Sequence, residues 1–293
     1  MKLGSNTISD FKLGSSSVGK IYLGPDQVWP PSVPVTADFY YSVRPISPGY
    51  TGDSMAIYDI TNGNLNIGFT GGNLDTVSII SHASGSSMKG IKFYNQVGTG
   101  KDVSASASSA PFIYRDSQIT TGTGGSRPAL DFGSASVILT TGGSAWNTAV
   151  PRSIFMVVSI AGPGDNYGFL LSSAGYNVYI RKNGASGPLV FNGGSSDIEI
   201  HPDYDSLIGK QYLISIFQDV SGNTTTFLNG VAGGTGAAGT TTMTGSSTFG
   251  EGDGPNGFDY SDIQLSEFRL YDTDESANRI SIESDINNYF NIY

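Results

Sequence analysis

The sequence has no cysteine among its 293 residues and only two histidines. Disulfide bonds and thiolate zinc sites are therefore excluded. We expect His82 and His201 to have ordinary surface or core roles, because no set of convergent partner residues accompanies either of them. Charged residues make up 14% of the chain, with 25 acidic and 15 basic side chains. This balance argues against binding to nucleic acid or anionic lipid and leaves neutral glycans and proteins as partners.

The sequence also lacks a long apolar segment. Its longest apolar run, residues 154–158, is far below the ~18 residues that a membrane span requires. Residues 1–6 contain no apolar stretch of the kind found in a secretory signal peptide. We therefore expect no membrane insertion and a protein that is made in a cytoplasm without a signal peptide.

Glycine is abundant, with 40 residues, twice the usual share of about 7%. Stretches rich in serine, threonine and asparagine accompany it, and this composition predicts turns and short strands. The clearest pattern lies at 212–231. Both faces of the segment 212–217 are apolar, a turn follows at 221–223, and a second strand at 224–228 ends at Asn229-Gly230. The pattern predicts a β-hairpin whose first strand is an inner strand of a sheet.

A ten-residue repeat occupies residues 1–29. Each unit carries a leucine followed by glycine, and a β-branched residue five positions after the leucine. The repeated apolar residues are Leu3, Leu13, Leu23, Ile8, Val18 and Val28. Each unit is too short to bury its own apolar face, so the segment must dock on something. Two interpretations stand: a β-hairpin folded back on the main domain, or an arm for anchoring or oligomerisation.

A proline-rich stretch at residues 30–37 follows the repeat. Proline fixes φ and removes a backbone donor, so we interpret this stretch as an extended linker. The predicted organisation is a repeat arm at 1–29, a linker at 30–37 and one main domain at 38–293.

Two glycine patterns are similar to nucleotide-binding motifs. Residues 14–20 fall one residue short of a P-loop, because Ile21 stands where serine or threonine would hold magnesium. Residues 234–239 have dinucleotide-type glycine spacing, but no predicted helix follows them to bind a phosphate. We interpret the first pattern as part of the repeat and the second as a flexible loop, and we expect no nucleotide cofactor.

Several short motifs occur in order at the start of the main domain. They are Phe39-Tyr-Tyr-Ser-Val-Arg44, Ser47-Pro-Gly-Tyr-Thr-Gly52, Gly72-Asn-Leu-Asp75, Phe93-Tyr-Asn-Gln-Val-Gly98 and Arg127-Pro-Ala-Leu-Asp-Phe132. This set resembles the opening of the concanavalin A-like (laminin-G-like) jelly roll that B-type α-L-arabinofuranosidases share with many phage virion proteins. Asn95 and Val97 depart from the pattern, since relatives usually have aspartate and serine there.

The end of the chain is also similar to that family. A strand at 263–271 precedes a predicted helix at 277–289, for which the acidic residues of 272–275 are candidate caps. The resemblance implies an all-β fold: a concanavalin A-like β-sandwich, or jelly roll, with a short C-terminal helix and an N-terminal β-repeat arm.

The resemblance further implies a phage virion protein, a fibre or appendage of the tail or head that presents the sandwich to a host-surface glycan. Residues 1–29 would join it to other virion proteins, and it would form a homo-oligomer. Its location would be the virion, after synthesis in the host cytoplasm. Two alternatives remain: a glycoside hydrolase that depolymerises a glycan, and a capsid decoration (cement) protein without a ligand.

We expect no catalytic activity. The compact Glu-x-Asp-x-x-Glu strand motif of jelly-roll glucanases is absent, no Gly-x-Ser-x-Gly elbow occurs, and the chain has five glutamates. The hydrolase alternative predicts that loss of a carboxylate, such as Glu267→Gln, abolishes activity.

Candidate ligand-binding residues lie in predicted loops. The acidic residues Asp253, Asp259 and Asp262 supply oxygen ligands for calcium or form a solvated turn. Three aromatic residues, Trp146, Tyr204 and Tyr260, are candidates for stacking on a sugar ring or for packing in the domain. Apart from calcium, we expect no cofactor.

Overall fold

The structure is a computed structural model. It describes the strands within residues 2–29 and residues 37–293, apart from residues 48, 86, 99, 134–136, 142–145, 147, 163–167, 173–177, 184–186, 244–247 and 251–262. No helix within these ranges is long and apolar enough to cross a membrane.

Short strands make up most of the regular structure. The strands are β1 (Lys2–Leu3), β2 (Asn6–Thr7), β3 (Lys12–Leu13), β4 (Ser16–Ser17), β5 (Ile21–Leu23), β6 (Asp26–Trp29), β7 (Phe39–Ser42), β8 (Met55–Asp59), β9 (Gly63–Ile67), β10 (Phe69–Thr70), β11 (Asn73–Leu74), β12 (Met88–Phe93), β13 (Val103–Ser104), β14 (Phe112–Arg115), β15 (Gln118–Ile119), β16 (Leu130–Asp131), β17 (Ile138–Thr140), β18 (Arg152–Ile160), β19 (Gly168–Ser172), β20 (Val178–Lys182), β21 (Leu189–Asn192), β22 (Asp197–His201), β23 (Lys210–Gln218), β24 (Asn223–Leu228), β25 (Val231–Ala237), β26 (Thr248–Gly250) and β27 (Ile263–Tyr271). The helices are α1 (Thr76–His82) and α2 (Arg279–Phe290), with 3₁₀ turns at Asp205–Leu207 and Ser276–Asn278.

The arm consists of three antiparallel hairpins that follow the sequence repeat. β1 pairs with β2, β3 with β4 and β5 with β6. Each leucine pairs with the residue three positions later: Leu3 with Asn6, Leu13 with Ser16 and Leu23 with Asp26. The ten-residue repeat is thus a repeat of one backbone unit. Ile8, Val18 and linker residues 30–36 lie outside the described residues, and what the arm attaches to stays a prediction.

β18 lies inside the large sheet. It pairs antiparallel with β23 from Arg152↔Gln218 to Ile160↔Lys210, and with β27 on its other side. Across the described strands the order is β25-β24-β23-β18-β27-β16-β14-β12-β13-β17-β26, with β7 beside β27, β8 beside β12, β9 beside β8 and β15 beside β14. The hairpin predicted at 212–228 is confirmed, and β23 is an inner strand, as its two apolar faces require.

A second sheet has the order β19-β20-β21-β22. Its edge strand β22 lies against β24 and β25, where the Thr226 hydroxyl donates to the Glu199 carbonyl oxygen at 2.7 Å. A Cβ on Gly233 would lie 2.7 Å from the Ile200 carbonyl oxygen, so this crossing requires glycine. The interpretation of 234–239 as a flexible loop is therefore wrong for most of its length, because residues 234–237 belong to β25.

The apolar side chains of both sheets form one core. At one end, Trp146 stacks on Phe268 with ring centroids 5.0 Å apart, and Phe249 meets Phe268 edge-on at 4.8 Å. Burial of apolar surface between the sheets is the dominant source of stability. The predicted all-β sandwich is confirmed.

The polar residues of the 93–98 motif hold the first strand of the sandwich in place. The Asn95 side-chain oxygen accepts from Tyr40 N at 2.9 Å. The Gln96 amide group donates to the carbonyl oxygens of Ser42 and Arg44 at 2.9 and 3.0 Å. Both motif residues are buried, so their hydrogen bonds fix the backbone of the opening rather than contact a ligand.

The C-terminal helix is confirmed, with α2 spanning Arg279–Phe290 after a 3₁₀ turn. Asn278 is its N-cap residue and makes no side-chain capping bond, so the acidic residues of 272–275 do not cap α2 itself. The α2 residues Ile286 and Phe290 are buried on the side of the helix that faces the core. The short helix α1 was not predicted; the Asp75 carboxylate caps it by accepting from Ser78 N at 3.1 Å.

We expect Gly233→Ala to destabilise the protein by about 1–3 kcal/mol, because the new methyl group overpacks the crossing of β22 and β25. The matched control is Gly236→Ala in the same strand, where the new Cβ would meet only the end of the Ile198 side chain, at 3.0 Å. Urea unfolding of both variants measures the difference. Equal stabilities would contradict the tight crossing.

Candidate functional site

A groove opens where the edge of the four-stranded sheet meets the large sheet. Its volume is about 650 Å³, within the range of small-ligand sites. Residues 199–202 line one side and the β24–β25 turn lines the other, while Tyr212 and Leu228 lie at the base, 7% and 8% exposed. The remaining lining residues are Ser206, Leu207, Lys210, Val231, Ala232, Gly233 and Gly234.

A tight turn fixes one side of the groove. Asn229 and Gly230 connect β24 to β25 with φ of 52° and 76°, values that an Asn-Gly pair adopts at low cost. The Asn229 backbone N donates to the Leu213 carbonyl oxygen, and its side-chain oxygen accepts from Leu213 N, both at 2.8 Å. Asn229 is therefore held rigidly, and its side-chain NH₂ bonds to no other described residue, so it can donate to a ligand.

Tyr212 and His201 add two polar side chains to the groove lining. The Tyr212 ring is almost buried, and burial raises the pKa of its hydroxyl. Within the described residues this hydroxyl has no hydrogen-bond partner. The Nδ1 atom of His201 lies 2.9 Å from the Asp203 carbonyl oxygen. The other ring nitrogen, Nε2, has no hydrogen-bond partner among the described residues. Both groups can therefore hydrogen-bond to a ligand.

The charged groups of the groove are Glu199 and Lys210. Both side chains are exposed, and neither forms an ion pair with another described residue. Glu199 is the one carboxylate among the described lining residues. Glycoside hydrolysis normally needs two carboxyl groups facing the scissile bond. The described lining therefore supplies hydrogen-bonding groups for a polar ligand without that catalytic pair.

The structure buries two of the three aromatic candidates. Trp146 is 3% exposed, and its ring Nε1 donates to the Tyr41 hydroxyl at 2.9 Å. Tyr204 is 1% exposed, with the Lys182 ammonium 5.2 Å from its ring centroid. Neither ring has a free face for a sugar, because core side chains cover it, so both residues are corrected to core positions.

The other candidates are not placed. Tyr260, Asp253, Asp259 and Asp262 lie outside the described residues. Among the residues that the structure describes, no three metal-binding side chains come together. His82 Nε2 lies 3.1 Å from the Gly63 carbonyl oxygen in a turn contact, whereas His201 lines the groove. From the sequence we expected an ordinary surface or core role for His201, and its position in the groove was not predicted.

Glu267 lies in a buried ion network outside the groove. Its side chain is 0% exposed, and one oxygen accepts from the Tyr40 and Ser42 hydroxyl groups at 3.0 and 2.7 Å. Arg44 and Arg269 each donate to the carboxylate at 2.7 Å. Every lone-pair direction is thus in use, and the group has no access to a substrate.

The network extends to helix α2. Asp285 accepts from Arg44 and Arg269 at 2.8 and 2.7 Å, which joins the helix to β27 and to the segment that follows β7. Burial alone would raise the pKa of Glu267, but the charges of Arg269 and Arg44 outweigh it and lower that pKa to about 2. The carboxylate stays ionised at neutral pH, so it cannot act as a general acid there.

We compared the sequence and the fold with those of known proteins. No family model matches the sequence, and no curated protein matches it. The fold is similar to a GH54 α-L-arabinofuranosidase soaked with a cyclic sulfate inhibitor, with a TM-score of 0.58 and 11% identity over 84% of this chain and 62% of that chain. It is also similar to an arabinofuranosidase complexed with arabinofuranosyl-α-1,2-xylobiose, with a TM-score of 0.56, 11% identity and the same coverage.

The chain therefore spans 62% of the length of these structures. At 11% identity the likeness shows the fold. The chain is an all-β sandwich, as the resemblance carried by the motifs of 39–132 implies.

Glu267→Gln tests the network. We expect it to destabilise the protein at pH 7 by about 3–5 kcal/mol, because two buried guanidinium groups lose a partner. The folded-state pKa is lowered to about 2, so the stabilisation is present above the unfolded pKa of about 4.3 and is lost as pH falls through about 2. The difference between wild type and variant should shrink over that interval.

Chemical unfolding at several pH values measures this difference. Asp116→Asn is the control, since Asp116 is an exposed carboxylate in a turn with φ of 51° that asparagine also adopts. A difference that does not change with pH would show that the charge of Glu267 is not what stabilises the fold.

Proposed function

We propose that the chain is a glycan-binding β-sandwich carried on a phage virion, as part of a fibre or appendage of the tail or head. The observation that carries the binding role is the groove between β22 and the β24–β25 turn. It combines an apolar base with the Tyr212 hydroxyl, the His201 imidazole, the Asn229 amide and two charged groups. An apolar surface with a few fixed donors and acceptors suits the faces and hydroxyl groups of a sugar.

Binding without hydrolysis is the interpretation that the described carboxylates favour. Glu199 stands alone among the described lining residues, and Glu267 is fully engaged in its ion network. An arabinofuranosidase of this fold is complexed with an arabinofuranosyl xylobiose, which supports a saccharide as the ligand class. We therefore propose a non-catalytic role.

The repeat arm supports attachment to a larger assembly. Its hairpins have strands of two to four residues, and isolated two-stranded hairpins are marginal in water. A partner surface or sister copies would complete them. The virion as that assembly rests on the resemblance to phage proteins, and many copies on one particle would convert weak glycan contacts into avidity.

The binding role is tested with Tyr212→Phe on an array of neutral and acidic oligosaccharides. The change removes one hydroxyl and keeps the ring, so stability should remain near wild type. Affinity for a bound oligosaccharide should fall by roughly threefold to tenfold, the equivalent of one neutral hydrogen bond. Tyr50→Phe, outside the groove, is the matched control.

Three outcomes bear on the proposal. Equal loss of affinity in both variants would place the site elsewhere. Binding to no oligosaccharide would favour the decoration protein without a ligand. Release of reducing ends from a polysaccharide, measured with the wild-type protein, would overturn the non-catalytic role in favour of the hydrolase.

Attachment to the virion is tested by deleting residues 1–30. We expect the truncated protein to keep the circular dichroism spectrum of the sandwich and to be missing from purified particles. Immunogold labelling with an antibody against residues 38–293 detects the protein on the tail or head. Particles that carry the truncated protein at the wild-type level would refute the arm as the anchor.

A further inference from the structure

Four paired residues form a row across the outer face of the large sheet. Tyr58 of β8 pairs with Lys89 of β12, Lys89 pairs with Phe112 of β14, and Phe112 pairs with Asp131 of β16. The strand neighbours Ile57, Met88 and Leu130 are buried in the core. Because side chains alternate along a strand, the row points away from the core.

A β-bulge brings Arg115 to the same face. The register shifts between the pairs Met88↔Tyr114 and Lys89↔Phe112, so β14 carries one extra residue there. Phe112 and Arg115, three positions apart, then lie on one side of the sheet, with the guanidinium carbon 5.0 Å from the ring centroid. The bulge thus places a second cation beside Lys89.

Lys89 forms no ion pair with a described residue. Its ammonium nitrogen lies 3.3 Å from the centroid of the Phe112 ring, and no oxygen atom of a described residue bonds to it. Burial and the charge of Arg115 lower the pKa of Lys89 to about 8, against the opposing charge of Asp131. A half-buried ammonium group beside another cation is unfavourable unless an anion compensates it.

The one carboxylate of the cluster is already occupied. Asp131 is 8% exposed; one oxygen lies 3.2 Å from the Arg115 guanidinium and the other accepts from Gly133 N at 2.9 Å. Two cations and one carboxylate leave an excess positive charge in a chain of formal net charge −10. Both cations lie against the same ring, with Lys89 Nζ 3.3 Å and the Arg115 guanidinium carbon 5.0 Å from the Phe112 centroid.

We propose that Lys89 and Arg115 bind the carboxylate of an acidic sugar, such as a uronate, at a second site separate from the groove. A carboxylate accepts hydrogen bonds from both cations, and charge-assisted bonds of this kind are the strong ones. The choice of a sugar rests on the proposed glycan-binding function, whereas the binding of an anion does not.

The affinity of this site depends on the protonation of Lys89. The charged and titratable groups that face it are Tyr58 on β8, Arg115 on β14 and Asp131 on β16. A bound carboxylate favours the protonated amine and raises its pKa. Binding should be strongest below about pH 8 and weaken at higher pH.

The experiment is a titration of the ¹³C-lysine-labelled full chain with sodium glucuronate, followed by the lysine Hε–Cε resonances in NMR. We expect the Lys89 resonance to shift in a saturable way while that of Lys101, outside both proposed sites, stays fixed. Arg115→Gln should weaken glucuronate binding at Lys89 by about tenfold. Lys101→Met should not change it, and resonance dispersion shows that each variant is folded.

Glucose and sodium sulfate serve as comparison ligands at equal ionic strength. Glucose should leave Lys89 unchanged, and sulfate should bind more weakly than glucuronate. A sulfate affinity equal to that of glucuronate would overturn the acidic-sugar assignment, and uniform small shifts of all lysines would overturn the site. Saturable glucuronate binding at Lys89 without any oligosaccharide in the groove would uphold this site while the groove proposal fails.

Discussion

The antiparallel ladder that joins β18 to β23 and β27 orders both candidate sites. All nine residues of β18 are buried, and a shift of one residue in either pairing would turn every side chain to the wrong face. The ladder with β23 sets the position of Tyr212 at the base of the groove. The ladder with β27 fixes β16 through the Asp131↔Gln264 pair, and β16 in turn aligns the row that contains Lys89. The groove and the Lys89 cluster therefore both depend on the strand pairings of β18.

The buried arginines differ from Lys89 in whether neighbouring oxygen atoms compensate their charge. Arg44 and Arg269 are buried, yet Glu267 and Asp285 neutralise them, and the result joins α2 to the sheet. Arg152 is also buried and lacks a carboxylate partner within the described residues, but oxygen atoms of Gln218 and Thr241 accept from it. Lys89 has neither kind of partner within the described residues. Arg152 Nη2 also lacks a partner there, but Arg152 is fully buried, whereas the ammonium group of Lys89 is half-buried and can be reached by an external anion.

The sequence predicted those features that depend on local pattern. The hairpin at 212–228, the C-terminal helix and the sandwich follow from periodicity, turn residues and the motifs of 39–132. The groove could not be predicted, because β22 and β25 meet through tertiary contact and their approach is signalled merely by Gly233 and Gly234, which a loop explains equally well. Trp146 and Tyr204 were similarly ambiguous, since an aromatic residue in a loop packs inward or outward without changing the local pattern. The bulge that moves Arg115 beside Lys89 has no sequence signature of its own.

The proposed arm and the proposed sites require each other in energetic terms. One uncharged hydrogen bond contributes about 0.5–1.5 kcal/mol, so an open groove with a few polar groups binds a single saccharide weakly. Tethering of many sandwiches to one particle makes each later contact intramolecular, and avidity then exceeds the single-site affinity by about 10²–10⁴ without any new contact. The three hairpins of residues 2–29 share the register of the two residue pairs next to each turn, and the third hairpin adds a bulged pair, Ile21↔Trp29. A partner that recognises one unit would therefore recognise all three. Several linked contacts would then strengthen both the attachment of the arm to its assembly and the binding of the sandwich to its ligand.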